Sequence, residues 1–156
     1  MSVLDLRTLL SALNARDVRF VVIGGVAVGA HGYIRSTEDL DLVPEPSGQN
    51  ADRLARALRD LEAQLPLDGD RPFQPAGDVT ALRRRRNLTV DTRAGALDIV
   101  QQVPGVPAFA ELERHAVLSE LLGEPVRLCS LEHLRAMKRA RASMQDKADL
   151  ERLPPS

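Results

Sequence analysis

Ile23-Gly24-Gly25-Val26-Ala27-Val28-Gly29-Ala30-His31, followed by Asp39-Leu40-Asp41-Leu42, is the part of the sequence on which the reading of this chain turns. Before it, Val18 to Ile23 is a run rich in β-branched and aromatic residues that stops at two glycines, as a buried strand delivering its end to a tight turn does. The small residues Val26 to His31 suit a short helix, whose first N–H groups would face whatever occupies the glycine turn. Asp39 to Val43 then alternates, with Asp39, Asp41 and Val43 on one side of a strand and Leu40 and Leu42 on the other. A glycine turn and two carboxylates on one strand face are thus separated by only thirteen residues.

Working outward, Val3, Leu6, Leu9, Leu10 and Leu13 have helical spacing after Ser2 as cap, and Asn14 and Asp17 end that helix. Downstream, Asn50 to Leu65 carries Leu54, Leu58, Leu61 and Leu65 on one stripe and reads as an amphipathic helix. Residues 66–79, with several Pro, Gly and Asp, read as a loop. Leu88 to Thr92 and Ala96 to Gln101 form a hairpin around Arg93-Ala94-Gly95, with Ala96, Asp98 and Val100 on one face of its second strand. A short helix over Ala108 to Arg114, a strand pair over Ala116 to Leu121 and Val126 to Cys129, a helix capped by Ser130 and a last helix near Gln145 to Leu153 complete the chain.

Composition bounds what this arrangement is for. With 156 residues, 44% of them hydrophobic, one compact domain over 1–156 is expected, its core about 18–101 and its C-terminal strand pair and helices about 108–153. A net charge of −1 gives no global pull toward a polyanion, so such a partner needs a local patch. Arg83 to Arg86 and Lys138, Arg139 and Arg141 offer two; the first reads as a solvated charge run or as a handle for nucleic acid or nucleotide phosphates. The lone Cys129 allows no internal disulfide and reads as a small core residue. The N-terminus lacks a signal-peptide pattern and no apolar run reaches membrane-spanning length, so a soluble cytoplasmic protein is expected, with no membrane partner.

Two carboxylates at i and i+2 on a strand lie roughly 7 Å apart at Cα. At an effective dielectric near 20, like charges about 5 Å apart repel by roughly 3 kcal/mol, which a hard divalent cation offsets. Asp98, between Leu97 and Ile99, is the candidate third acid, and Asp91 on the other strand of the hairpin competes with it. Three converging carboxylates can hold two ions that activate an attacking hydroxyl and stabilise a leaving pyrophosphate. His31 reads as a helix-ending residue that orders its loop by a hydrogen bond, since hard-metal sites favour oxygen.

Gly24-Gly25, Asp39-Leu40-Asp41 and the later Leu97-Asp98-Ile99 resemble the signature of the nucleotidyltransferase superfamily that includes DNA polymerase β. The full run from Gly24 to Leu42 is similar to its small prokaryotic branch of abortive-infection and toxin-type enzymes, and Ser130 to Lys138 with Asp146 to Leu150 resemble that branch's C-terminal helices. The likeness spans residues 18–153. It departs at Gln145, where many relatives have a basic residue before the acid, and at Arg141, which lies further ahead than the common arginine.

The resemblance implies an α+β fold, the minimal nucleotidyltransferase fold with a mixed β-sheet flanked by helices and C-terminal helices. It implies transfer of a nucleoside monophosphate from an NTP such as ATP to an acceptor hydroxyl, with Mg²⁺ or Mn²⁺ held by Asp39, Asp41 and Asp98. Gly24 and Gly25 would cradle the triphosphate, assisted by Arg35, Thr37 and Lys138. The acceptor could be a tRNA or other RNA, a small molecule such as an aminoglycoside, or a protein hydroxyl, and a cognate antitoxin or regulator is an implied partner. A non-catalytic module of the same fold and a metal-dependent phosphohydrolase are the competing readings.

Overall fold

The computed structural model describes residues 3–33 and 36–155. In chain order the elements are α1 (Leu6–Ala15), β1 (Phe20–Ile23), α2 (Gly24–Ala30), β2 (Asp39–Pro44), α3 (Gly48–Asp60), β3 (Gln64–Leu65), β4 (Arg71–Pro72), α4 (Pro75–Arg83), β5 (Leu88–Thr92), β6 (Gly95–Ile99), α5 (Phe109–His115), β7 (Val117–Leu121), β8 (Glu124–Leu128), α6 (Leu131–Arg141) and α7 (Met144–Arg152). The strands form one mixed sheet in the order β4-β3-β5-β6-β2-β1-β8-β7. Two strand pairs are parallel, β2 with β6 and β1 with β8; the remaining pairs are antiparallel. This is the expected α+β architecture.

The central strands are apolar on the faces that helices cover. Val21, Val22, Leu40, Leu42, Val90 and Leu97 are fully buried, as are Leu9, Leu10 and Leu13 of α1 and Leu58 of α3. At about 1.5–3 kcal/mol for each large apolar side chain removed from water, this core is the main force closing the helices onto the sheet. Polar fasteners set the strand ends. Buried Asn50 accepts from the Arg19 N–H at 2.8 Å and donates to the carbonyls of Arg19 (2.9 Å) and Glu45 (2.8 Å), so the start of α3 is tied to the ends of β1 and β2. Among the described residues, no helix is long and apolar enough to cross a membrane.

The structure corrects three readings of the sequence. α1 begins at Leu6 with Asp5 as its cap, its carboxylate accepting from Thr8 N–H at 3.1 Å, and Ser2 lies outside the described residues. The helix expected to reach Leu65 stops at Asp60: Glu62 turns the chain at φ 54, and Leu65 is buried from β3. Leu65 continued the leucine period only because a strand also buries it. The loop expected over 66–79 contains a 3₁₀ turn (Pro66–Asp68), β4 and the start of α4. α4 has Pro75 in its first turn and an Asp78 carboxylate accepting from Gln74 N–H at 2.7 Å, but it buries only Val79 and Leu82. Two apolar positions give no readable period.

Candidate active site

The register of the sheet creates the acidic cluster. β2 and β6 run parallel with Asp41 beside Asp98 and Asp39 beside Ala96, so all three acids stand on one face of adjacent strands. Asp39, Asp41 and Asp98 can each present an oxygen within 4.8 Å of the other two. Asp91 does not join them. It is exposed on β5 opposite Ala96, two strand spacings or about 9.6 Å from Asp39.

Burial, followed by the charges of Asp39 and Asp98, pushes the Asp41 carboxyl up to about 7, with Arg141 pulling the other way. Burial and a shared hydrogen bond with Asp98 likewise raise Asp39. Unrelieved negative charge is therefore built into the site, and the donors are all carboxylate oxygens. That donor set fits a hard divalent cation such as Mg²⁺ or Mn²⁺.

Gly24 is positioned against this cluster. It has φ +70, and a Cβ there would overlap the Asp41 Oδ2 and lie 2.9 Å from its Cγ. Glycine is thus required both by the backbone angle and by the approach of the carboxylate. α2 starts directly at this turn with no side-chain cap on its first N–H groups. At its other end His31 closes the helix and its Nε2–H donates to the Cys129 carbonyl at 2.8 Å, the loop-ordering role read from the sequence. Cys129 is fully buried, and burial pushes its thiol up to about 12, so it is no nucleophile at neutral pH.

A cleft of about 620 Å³ opens over the acids. Gly24, Gly25, Thr37 and Glu38 border it on one side; Val100, Val103, Pro104 and Val106 after β6 form an apolar wall, and α6 contributes Leu134, Met137, Lys138 and Arg141. Thr37 donates its hydroxyl to the Asp39 carbonyl at 3.1 Å, fixing the segment that enters β2. Arg35 lies outside the described residues.

Lys138 borders the cleft, but its ammonium is buried and lies 3.1 Å from Asp146 and 3.0 Å from Asp149, both fully buried on α7. Arg141 grips Asp146 through Nε (2.7 Å) and Nη2 (2.8 Å), and Gln145 donates to Asp149 at 2.8 Å. Ser143 and Asp146 complete a reciprocal capping box at the start of α7. Arg141, whose position in the sequence departs from the resembled pattern, is therefore a cleft residue. Its signal was present in the spacing: Leu134, Lys138 and Arg141 recur at i, i+4 and i+7 on one stripe of α6.

No family model matches the sequence, and no curated protein matches it either. Solved structures do. The antibiotic-resistance factor ANT(2'')-Ia, in its solution structure, superposes with a TM-score of 0.60 at 16% identity, over 94% of this chain and 78% of its own. A candidate nucleotidyltransferase from Thermotoga maritima superposes with a TM-score of 0.58 at 12% identity, over 94% of this chain and 88% of its own. At such identities the likeness is one of architecture, and it extends over nearly the whole chain: this protein has the nucleotidyltransferase fold.

Proposed function

We propose that this protein transfers a nucleoside monophosphate from an NTP to an acceptor hydroxyl and releases pyrophosphate, using Mg²⁺ or Mn²⁺ held by Asp39, Asp41 and Asp98. The observation that carries this reading is the convergence of three carboxylates beneath a glycine turn that one of them touches. A structural sheet face has no need of three mutually repelling acids in a cleft. When bound, the cation would neutralise charge on the triphosphate and on the attacking oxygen. Backbone N–H groups of Gly24 and Gly25 would hold phosphate oxygens, and Asp98 would take the proton as the acceptor oxygen bonds to the α-phosphorus and the bond to pyrophosphate breaks.

Thr37 and Arg35, from the segment ahead of β2, would assist in seating the nucleotide. The phosphate contact expected of Lys138 falls in this reading to Arg141, whose side chain is 66% exposed at the cleft whereas Lys138 is held by two carboxylates. The apolar wall from Val100 to Val106 would exclude water from one side of the reacting groups.

Incubation with each α-labelled NTP, Mg²⁺ or Mn²⁺ and candidate acceptors tests the reading. Label should appear on an acceptor together with free pyrophosphate, and Asp39→Asn, Asp41→Asn and Asp98→Asn should each lower the rate by at least about a hundredfold. Transfer that survives these substitutions would sink the proposal, and release of inorganic phosphate without transfer would move the site to phosphohydrolysis.

A further inference from the structure

The cleft has little cationic charge to spare. Glu38, Asp39, Asp41 and Asp98 border it, while Lys138 and Arg141 are balanced by Asp146 and Asp149. A polyanionic acceptor would need its counter-charges elsewhere, and the structure carries a cluster of them outside the cleft, on α3 and at the end of α4. On α3, Asp52, Arg56 and Arg59 follow at i, i+4 and i+7, a solvent stripe opposite the buried Leu54 and Leu58. Arg83, the last residue of α4, meets Asp52 at 2.5 Å and so fastens this stripe to the run Arg83 to Arg86.

Arg56, Arg59, Arg84, Arg85 and Arg86 are all exposed, and none has an ion-pair partner among the described residues. Arg16, Arg19 and Arg71 are paired, with Asp60, Glu113 and Asp78, and other arginines without an ion pair among the described residues, such as Arg7, Arg93 and Arg139, are scattered over different elements instead of lying together. The dipoles of α4 and α3 favour a cation in each last turn, which covers Arg83 and Arg59, but they do not account for Arg56 in the middle of α3 or for the run beyond the end of α4. Arg85 holds φ 55, an angle that glycine or asparagine adopts at less cost.

This face is also anchored to the cleft. Gln101 donates its side-chain amide to the Arg86 carbonyl at 3.0 Å. Asn87 accepts from the backbone N–H groups of Gln101 (2.8 Å) and Gln102 (3.0 Å). The next residues, Val103 and Pro104, are already part of the cleft wall.

From this geometry we infer that the face formed by Arg56, Arg59 and Arg84 to Arg86 binds the phosphate backbone of a nucleic-acid strand and leads it toward the acidic cleft. Guanidinium groups grip phosphate oxygens in pairs, and the scarcity of aromatic side chains makes this backbone contact rather than base stacking. The strand's part as acceptor rests on the transfer reading above; its binding does not.

Fluorescence anisotropy separates the two. The full-length Asp98→Asn protein, without NTP, is titrated against a labelled single-stranded RNA and a DNA of the same sequence. Five phosphate contacts on a single strand predict a log–log salt slope of about −3.5. Arg84→Ala/Arg85→Ala/Arg86→Ala should weaken binding about tenfold or more near 0.1 M salt and reduce that slope by about 2. Arg56→Glu/Arg59→Glu should weaken it too, while Arg127→Ala, near the far edge of the sheet, should leave it unchanged. These side chains are exposed, and a thermal melt of each variant checks that folding is intact. Preference for RNA over DNA, or equal affinity for both, supports the backbone track and says which strand it takes. Absence of salt-dependent binding, or equal weakening by the Arg127 control, overturns it. Binding here, combined with no label transfer to any acceptor by the unsubstituted protein in the labelled-NTP assay above, overturns the transfer reading and leaves the basic face standing.

Discussion

At the scale of one residue, Gly24 links the turn to the chemistry. Alanine there must hold φ +70 and must also displace the Asp41 carboxylate, because its Cβ would sit on Oδ2. The backbone strain alone is worth about 1 kcal/mol, and movement of a carboxylate in the cluster costs far more in rate than in stability. Gly24→Ala should therefore lower nucleotide transfer by about a hundredfold or more while costing about 1–3 kcal/mol of stability. Gly29 is the internal control: it lies in the same short helix with nothing within 4 Å of an added Cβ, so Gly29→Ala should be neutral or stabilising by up to about 1 kcal/mol. Rates and denaturation midpoints of the pair separate a steric requirement at the acids from a general dislike of side chains in α2.

At the scale of elements, the joint between α6 and α7 is built on buried charges, whereas the helices over the central strands are held mainly by apolar side chains. Lys138, Asp146 and Asp149 are buried together, and Arg141 reaches from the cleft to the same Asp146. Burial would raise the Asp146 carboxyl, but hydrogen bonds from Arg141, Ser143 and Lys138 outweigh it and hold the group well below the usual carboxylate range. Removing one partner strands the others. Lys138→Met should cost about 3–5 kcal/mol in urea denaturation. The conservative Lys138→Arg should recover only part of that, since a planar fork does not replace a point charge between two carboxylates.

This joint also marks how far the sequence could be read. The strand ending at Ile23, the glycine turn, Asp39 and Asp41 on one face and the hairpin carrying Asp98 are local patterns, and each lies where the residues placed it. The pairing that brings Asp98 rather than Asp91 to the other acids is a property of the β2–β6 register, which no local period encodes. The depth of Lys138 depends on α7 folding back over α6, a contact between segments that the pattern of α6 alone does not contain. α4 leaves no readable period because it buries only two side chains, and the leucine period runs past the end of α3 because Leu65 keeps it across a change from helix to strand.

At the scale of the whole molecule, two buried carboxyl systems give stability opposite pH dependences. Asp146 titrates lower in the folded protein than unfolded, so its contribution is complete above the unfolded value near 3.9 and is lost as the pH falls below about 4. Asp41 does the reverse. Its folded value is pushed up to about 7, so between about pH 4 and 7 the folded state holds a proton that the unfolded chain has released, and stability falls as the pH rises through that window. With a net charge of only −1, general charge repulsion does not mask this local effect. A divalent cation competes with the proton for the same oxygens and stabilises the fold by about 2.7 kcal/mol at a hundredfold excess over its Kd. The metal-free protein should therefore melt at a higher temperature at pH 5 than at pH 7.5. Mn²⁺ should raise the melting temperature much more at pH 7.5 than at pH 5, and Asp41→Asn should flatten both differences. Equal Mn²⁺ shifts at the two pH values would mean that the acids of β2 and β6 do not act as one cation site.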